Sequence, residues 1–199
     1  MRSVAATRAP HAAKSFTPAS RPLRLESAAD IAARFADALA QADGVAGAHC
    51  VHEWSMRGEF AARIEAAQTL LWRHCAVTIP EWLPMHAVSW LATAYDVAAT
   101  FSSHGRGRSN IYLVLLDNRE RRGDAHGVYV GMSRYSPAQR FDQHKAGIRA
   151  AGCVLKRGLE VLTGPVLHLQ KLPLSDARRI EAGLANALID AGIRAEGGH

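Results

Sequence analysis

Five side chains in the second half of the chain have types and spacings that suit phosphate chemistry: Tyr112, Tyr129, Arg140, His144 and Glu181. Arg140 and His144 are four residues apart, so on a helix they are neighbours on one face. A guanidinium beside an imidazole suits holding a phosphate while a proton moves nearby; the alternative is a solvated helix face. Both tyrosines sit in apolar runs. Side chains alternate along strands, so Tyr112, Val114 and Leu116 share one face, and Tyr129 shares another with Gly131. If those are the same face of a sheet, the two hydroxyls converge at a surface site. Gly131 then ends its strand without a side chain, which would let a substrate backbone approach. Glu181 borders an apolar helical stripe, with the small Ala185 one turn later leaving room for the carboxylate to reach a sheet. A carboxylate there is costly unless it is paired or holds a cation; Arg178 and Arg194 are the mundane partners.

These residues need a sheet and two helices to position them. Ile111–Leu116 is a continuous apolar run and predicts a buried strand. Residues 117–127 are a polar connection with a Gly-Asp turn signal, and Val128–Val130 returns as the antiparallel partner. Ser136-Pro137 supplies an N-cap and a first-turn proline. The helix that follows is expected to bury Ala138, Phe141 and Ile148 and to carry Arg140 and His144 on another face. Lys156-Arg157-Gly158 reads as a basic turn. Val166–Leu169 alternates weakly and predicts a third strand. Ser175 is placed to cap a helix over 176–191, with Ile180, Leu184, Ala187, Leu188 and Ala191 as its apolar face.

The first half reads differently. Ser27 and Asp30 form a capping-box-like start for a helix over 27–42. Residues 44–57 read as a loop, and helices are expected over 59–75 and 85–101. Trp54, Trp72, Trp82 and Trp90 fall among these helices and predict a ring-packed helical subdomain. His49, Cys50, His52 and Glu53, with His74 and Cys75, match no zinc spacing. Residues 102–110 are polar and glycine-rich and read as a hinge. Residues 1–25 carry five arginines and lysines and no acid, without periodicity, and predict a disordered basic tail. The expected organisation is therefore a tail over 1–25, a helical subdomain over 26–104 and a second domain over 105–199.

The formal net charge of the 199 residues is +6. Residues 26–104 carry four basic groups against nine acids, whereas 105–199 carry fifteen against nine. The half that holds the tyrosines is thus the basic one, which favours a phosphate-rich partner through counterion release. Three cysteines with no paired spacing argue against a disulfide framework or a cysteine zinc site and suggest a reducing, cytoplasmic setting. No apolar run approaches the ~18 residues of a membrane span.

In this order the motifs resemble the GIY-YIG endonuclease superfamily. The first motif reads Asn110-Ile111-Tyr112, with asparagine where the family has glycine, and the second reads Tyr129-Val130-Gly131 followed by Met132-Ser133. The helix arginine looks like Arg140 and the late glutamate like Glu181, so the resemblance covers about 109–192. The link between the tyrosines is about five residues longer than the family's hairpin. The asparagine often found after the glutamate has only Asn186 as a counterpart. The resemblance implies a small three-stranded antiparallel sheet flanked by helices, and hydrolysis of DNA phosphodiesters with one divalent cation, Mg²⁺ or Mn²⁺, on Glu181. It implies that Tyr112 or Tyr129 takes a proton from the attacking water, that Arg140 or the metal lowers the phenol's pKa, that Arg140 holds the scissile phosphate, and that His144 shares in the proton or the phosphate role. Gly131, Ser133, Lys145, Lys156 and Arg157 are the expected substrate contacts. DNA is the expected partner, and the helical region is placed to meet a protein. Two other readings compete. One is a nucleic-acid-binding module of this fold without turnover, motivated by the altered first motif and the missing asparagine. The other is a protein-interaction domain working through the tryptophan-rich helices.

Overall fold

The strand β1 (Asn110–Asp117) is the centre of a sheet because six consecutive residues, Ile111–Leu116, are apolar and every one is buried. Full burial of such side chains stabilises by roughly 2 kcal/mol each, and burial on both faces requires cover on both. The computed structural model describes residues 21–120 and 125–198. Among them are seven α-helices and a four-stranded mixed sheet of order β3-β1-β2-β4, an α+β fold. The chain divides into two compact units, Met1–Ala92 and Thr93–His199. The divide falls earlier than residue 104, within α4 (Leu91–Ala99).

In the second unit β1 pairs antiparallel with β2 (His126–Ser133), placing Tyr112 opposite Gly131 and Val114 opposite Tyr129. β3 (Gly158–Val161) pairs antiparallel on the other side of β1. The expected three-stranded antiparallel sheet is corrected by β4 (Ala195–Gly197), which returns after the last helix and pairs parallel with β2. The third strand also lies earlier than 166–169. There Gly164–Val166 forms a 3₁₀ turn, because Pro165 has no N–H to give a ladder and Gln170 Nε2 bonds Val166 O and Ile111 O at 2.8 Å each.

α5 (Pro137–Lys145) begins with a complete capping box between Ser136 and Gln139. It stops at Lys145, so Ile148 falls beyond it and is exposed, as is Ala138. The buried stripe is instead His144 with half-buried Phe141, three residues apart. α6 (Gly152–Arg157) occupies what read as a mixed segment. Val154 from α6 and Phe141 from α5 pack on the Tyr112, Val114 and Leu116 face. α7 (Leu174–Asp190) follows Pro173, so Ser175 lies inside its first turn; it buries Ala177, Ile180, Glu181, Leu184, Ala185 and Leu188 and packs on β1, β2 and β4.

The glycine-rich stretch before β1 is not a hinge. Gly107 N donates to Lys171 O at 2.7 Å, and Ser109 and Leu172 exchange backbone bonds at 3.1 and 2.7 Å. A β-carbon on Gly107 would strike Leu172 O, so glycine is needed for the close approach.

The first unit packs α1 (Ala28–Ala40), α2 (Gly44–Met56) and α3 (Ala61–Cys75). α2 corrects the loop expected over 44–57. Asp43 caps it, accepting from Val45 N and Ala46 N. Its glycines are contact sites rather than breakers: a β-carbon on Gly47 would lie 2.5 Å from Leu71 Cδ1. Glu53 is 2 % exposed and bonds Arg21 at 2.6 Å and Arg57 at 2.7 Å. Burial alone would raise its pKa, but bonds and charge from the two arginines outweigh that and lower it. Arg57 also bonds Leu23 O and Glu26 O at 3.0 and 2.9 Å. Residues 21–25, assigned to a disordered tail, are therefore fixed here; the rest of that tail, 1–20, lies outside the described residues. Trp54 and Trp82 are core rings, whereas Trp72 is exposed. His49 and His52 stack near Trp82 at 4.9 and 5.9 Å, and burial lowers the His52 pKa to about 3. Among the described residues no helix is long and apolar enough to cross a membrane.

Candidate active site

Tyr112 and Tyr129 lie diagonally across β1 and β2 on the same face, with ring centroids 6.0 Å apart. The His144 ring completes a triangle, 6.0 Å from Tyr112 and 5.9 Å from Tyr129. Gly131 is glycine because the rings occupy its space. A β-carbon there would lie 2.5 Å from Tyr112 Oη and 2.7 Å from Tyr129 Cε1. That corrects the expectation of a bare backbone left open for substrate, and Gly131 sits inside β2 rather than ending it.

Protons in this triangle can be assigned from the backbone. Ala151 N lies 2.9 Å from His144 Nδ1. A backbone N–H only donates, so Nδ1 accepts and the neutral imidazole carries its proton on Nε2. Nε2 then donates to Tyr112 Oη at 2.9 Å. Tyr112 and Tyr129 also act on each other: the neighbouring Tyr129 raises the Tyr112 pKa, and Tyr112 lowers that of Tyr129. Burial, followed by the Arg140 charge, pulls His144 down to about 4, so the imidazole is neutral near pH 7. Burial raises both phenols above their usual value of about 10. Arg140 opposes this at both, but does not bring either phenol below its ordinary range. Tyr112 is 1 % exposed while Tyr129 is only partly buried, so Tyr129 is the hydroxyl nearer solvent.

Glu181 reaches this face's end from α7. Its Oε1 accepts from Met132 N at 3.0 Å, one residue beyond Gly131, and its charge helps to raise the Tyr129 pKa. Arg140 is engaged differently from the expected phosphate clamp. It donates to Gln143 Oε1 at 3.1 Å, Ile148 O at 3.1 Å and Arg149 O at 2.8 Å, tying down the turn after α5. Its charge nevertheless acts on both tyrosines and on His144.

The remaining expected contacts are dispersed. Ser133 Oγ accepts from Tyr135 N at 3.1 Å and shapes its own turn. Lys145 donates to Leu155 O and Gly158 O at 3.3 and 3.1 Å, closing the end of α6. Arg157 pairs with both oxygens of Glu196 at 2.6 and 2.7 Å and bonds Asn118. Lys156 and Arg157 line a separate depression with Asp117, Arg119 and Glu120. Asn186 is exposed on α7.

Two functional parts escaped the sequence reading. The Ala151 N–H is a backbone group and leaves no residue signal. Asn110, which read as a departure from the first motif, is a strut: Nδ2 donates to Tyr135 O at 2.9 Å and Oδ1 accepts from Lys171 N at 3.0 Å. No family model, curated protein or solved structure matches the chain.

Proposed function

We propose that the chain is a metal-dependent DNA endonuclease of the GIY-YIG type that hydrolyses phosphodiester bonds. The observation that carries this reading is the ordered chain Ala151 N–H, His144, Tyr112, with the Tyr129 ring 6.0 Å from that of Tyr112 and Glu181 anchored on Met132 N. A purely structural tyrosine pair would not need a buried neutral histidine with a defined tautomer behind it.

Tyr129 serves as the base. It is the less buried phenol, and the neighbouring Tyr112 lowers its pKa. Its phenolate oxygen takes a proton from water and the resulting hydroxide attacks phosphorus; the bond from phosphorus to one sugar oxygen breaks, and that oxygen leaves and takes a proton from solvent. Tyr112 keeps the Tyr129 oxygen aimed, and His144 keeps Tyr112 aimed. The Arg140 charge favours the phenolate and the developing negative charge on the phosphate oxygens. A single carboxylate suits Mg²⁺ or Mn²⁺, which retain waters and share their shell with substrate phosphate; among the described residues no three acids, histidines or cysteines gather into a larger metal cluster. The divalent cation would supply charge stabilisation at the phosphate, and Glu181 would be its protein ligand.

The test is cleavage of plasmid and linear duplex DNA in Mg²⁺ and Mn²⁺ by wild type, Glu181→Ala and Glu181→Gln. Glutamine retains an acceptor for Met132 N while removing the charge. Both variants are expected to lose cleavage by at least about 100-fold, and cleavage surviving in both sinks the assignment. A binding module without turnover is favoured by one feature, the commitment of Arg140 to carbonyls of its own loop. That reading predicts DNA binding with no cleavage in either metal.

A further inference from the structure

A groove of about 610 Å³ opens at the end of the sheet where β1 begins and β2 ends. Three cations line it, Arg108, Arg134 and Lys171, with Asn110 and Gln170 between them and the start of α5 beside them. Among the described residues, none that lines it is an acid. All three cations are exposed. Several other arginines are matched to carboxylates, Arg157 to Glu196, Arg119 to Asp117, and Arg21 and Arg57 to Glu53, and Arg140 bonds Gln143 and carbonyls of its own turn. Among the described residues no carboxylate pairs with the three groove cations.

The groove is built rather than incidental. Lys171 has φ of 59°, a left-handed conformation that glycine adopts freely and a lysine does not. Its backbone is held on both sides. Lys171 N donates to Asn110 Oδ1 at 3.0 Å, and Lys171 O accepts from Gly107 N at 2.7 Å. The same Asn110 side chain reaches Tyr135 O, so one residue fixes both walls. A cation thus stands where glycine would be the easy choice, and strained positions of this kind gather at functional sites.

The groove is also in line with the hydroxyl pair. Asn110 and Tyr112 share a strand face two residues apart, about 7 Å. That is about the axial distance between a phosphate and its second neighbour on one DNA strand.

We infer that Arg108, Arg134 and Lys171 form a phosphate-tracking groove that holds the DNA backbone flanking the cut site. This rests on the endonuclease reading and adds to it the path of the substrate strand. The contacts are to phosphates, so they set register and affinity without reading bases.

The experiment measures binding to a fluorescein-labelled 20-base-pair DNA duplex by anisotropy, in EDTA, across 50 to 200 mM NaCl. The proteins are full-length wild type, the triple variant Arg108→Gln, Arg134→Gln, Lys171→Gly, the single Lys171→Gly variant, and Glu181→Gln. Each lost phosphate contact lowers the slope of log K against log salt by about 0.9. The triple variant should therefore be about 40-fold less salt-sensitive than wild type over that range. Lys171→Gly alone should lose about one contact while melting no lower than wild type, because glycine relieves the strained φ. Glu181→Gln should retain the wild-type slope. An unchanged slope in the triple variant overturns the groove, as does absence of wild-type binding at 50 mM NaCl. Binding of an RNA duplex tenfold tighter than the DNA duplex overturns the assignment to DNA. The endonuclease reading fails separately, if Glu181→Gln and Glu181→Ala still cut.

Discussion

Replacing His144 with glutamine should remove a pH-dependent weakness of the second unit. In the unfolded chain His144 titrates near 6.5, and in the folded protein near 4. Between those values the unfolded state binds more protons, so stability is full above about pH 6.5 and is lost as pH falls toward 4. From pH 7.5 to 4.5 the linkage amounts to about 2.5 kcal/mol. The imidazole is 1 % exposed but lies shallow; water screening there should reduce the observed loss to about 1–1.5 kcal/mol. Glutamine can accept from Ala151 N and donate to Tyr112 without titrating, so its variant should lack that increment. The assay must look past tryptophan, because all four tryptophans lie in the first unit. Native-state hydrogen exchange of the β1 and β2 amides in urea, at both pH values, reports the second unit directly, with tryptophan fluorescence as the control for the first. If His144→Gln and wild type lose equal stability between pH 7.5 and 4.5, the neutral buried imidazole and the tautomer derived from it are wrong.

Two further outcomes follow from the same geometry. Tyr129→Phe should lower the cleavage rate by about 10²–10⁴-fold, whereas Tyr112→Phe should cost less in rate and about 1–2 kcal/mol in stability by leaving His144 Nε2 without its acceptor; single-turnover kinetics and urea titration separate the two, and a larger rate loss for Tyr112→Phe would make Tyr112 the base. Gly131→Ala should destabilise by about 1–3 kcal/mol through overpacking between the two rings, read as a lower thermal midpoint; an unchanged midpoint would show that the rings yield without cost.

The side chains of the candidate site were legible because each carries its own chemistry and its own period. The strand period of two gave each tyrosine a face on its own strand, but that the two faces are one depends on the register that sets Tyr112 opposite Gly131. The helix with Arg140 and His144 was legible from its cap, but its buried face was not. Its length decided that, and a stop at Lys145 rather than beyond Ile148 turned His144 inward. β4 was invisible because three residues of ordinary composition become a strand only when β2 offers an open edge. α2 was misread for a related reason. Gly44 and Gly47 signal a break locally, yet tertiary contact with Thr78 and Leu71 makes them close-packing positions. Backbone donors such as Ala151 N leave no trace in residue type at all.

The charges around the phenols bear on how such a site would be switched on. At rest the network is neutral, with His144 uncharged and both tyrosines protonated. Burial is the largest cause holding Tyr129 up, and the Glu181 carboxylate adds to it while Arg140 subtracts. Neutralising Glu181 would therefore remove one of the causes that keep Tyr129 protonated, and a cation at the carboxylate would do this. A scissile phosphate arriving alone adds negative charge and works in the opposite direction. By these charges the base would form most readily once a cation sits at Glu181, and that cation would also offset the charge an arriving phosphate adds. Under the proposed function this would couple deprotonation to a cation-loaded site, and a carboxylate that opposes the phenolate at rest would favour it once a cation is bound.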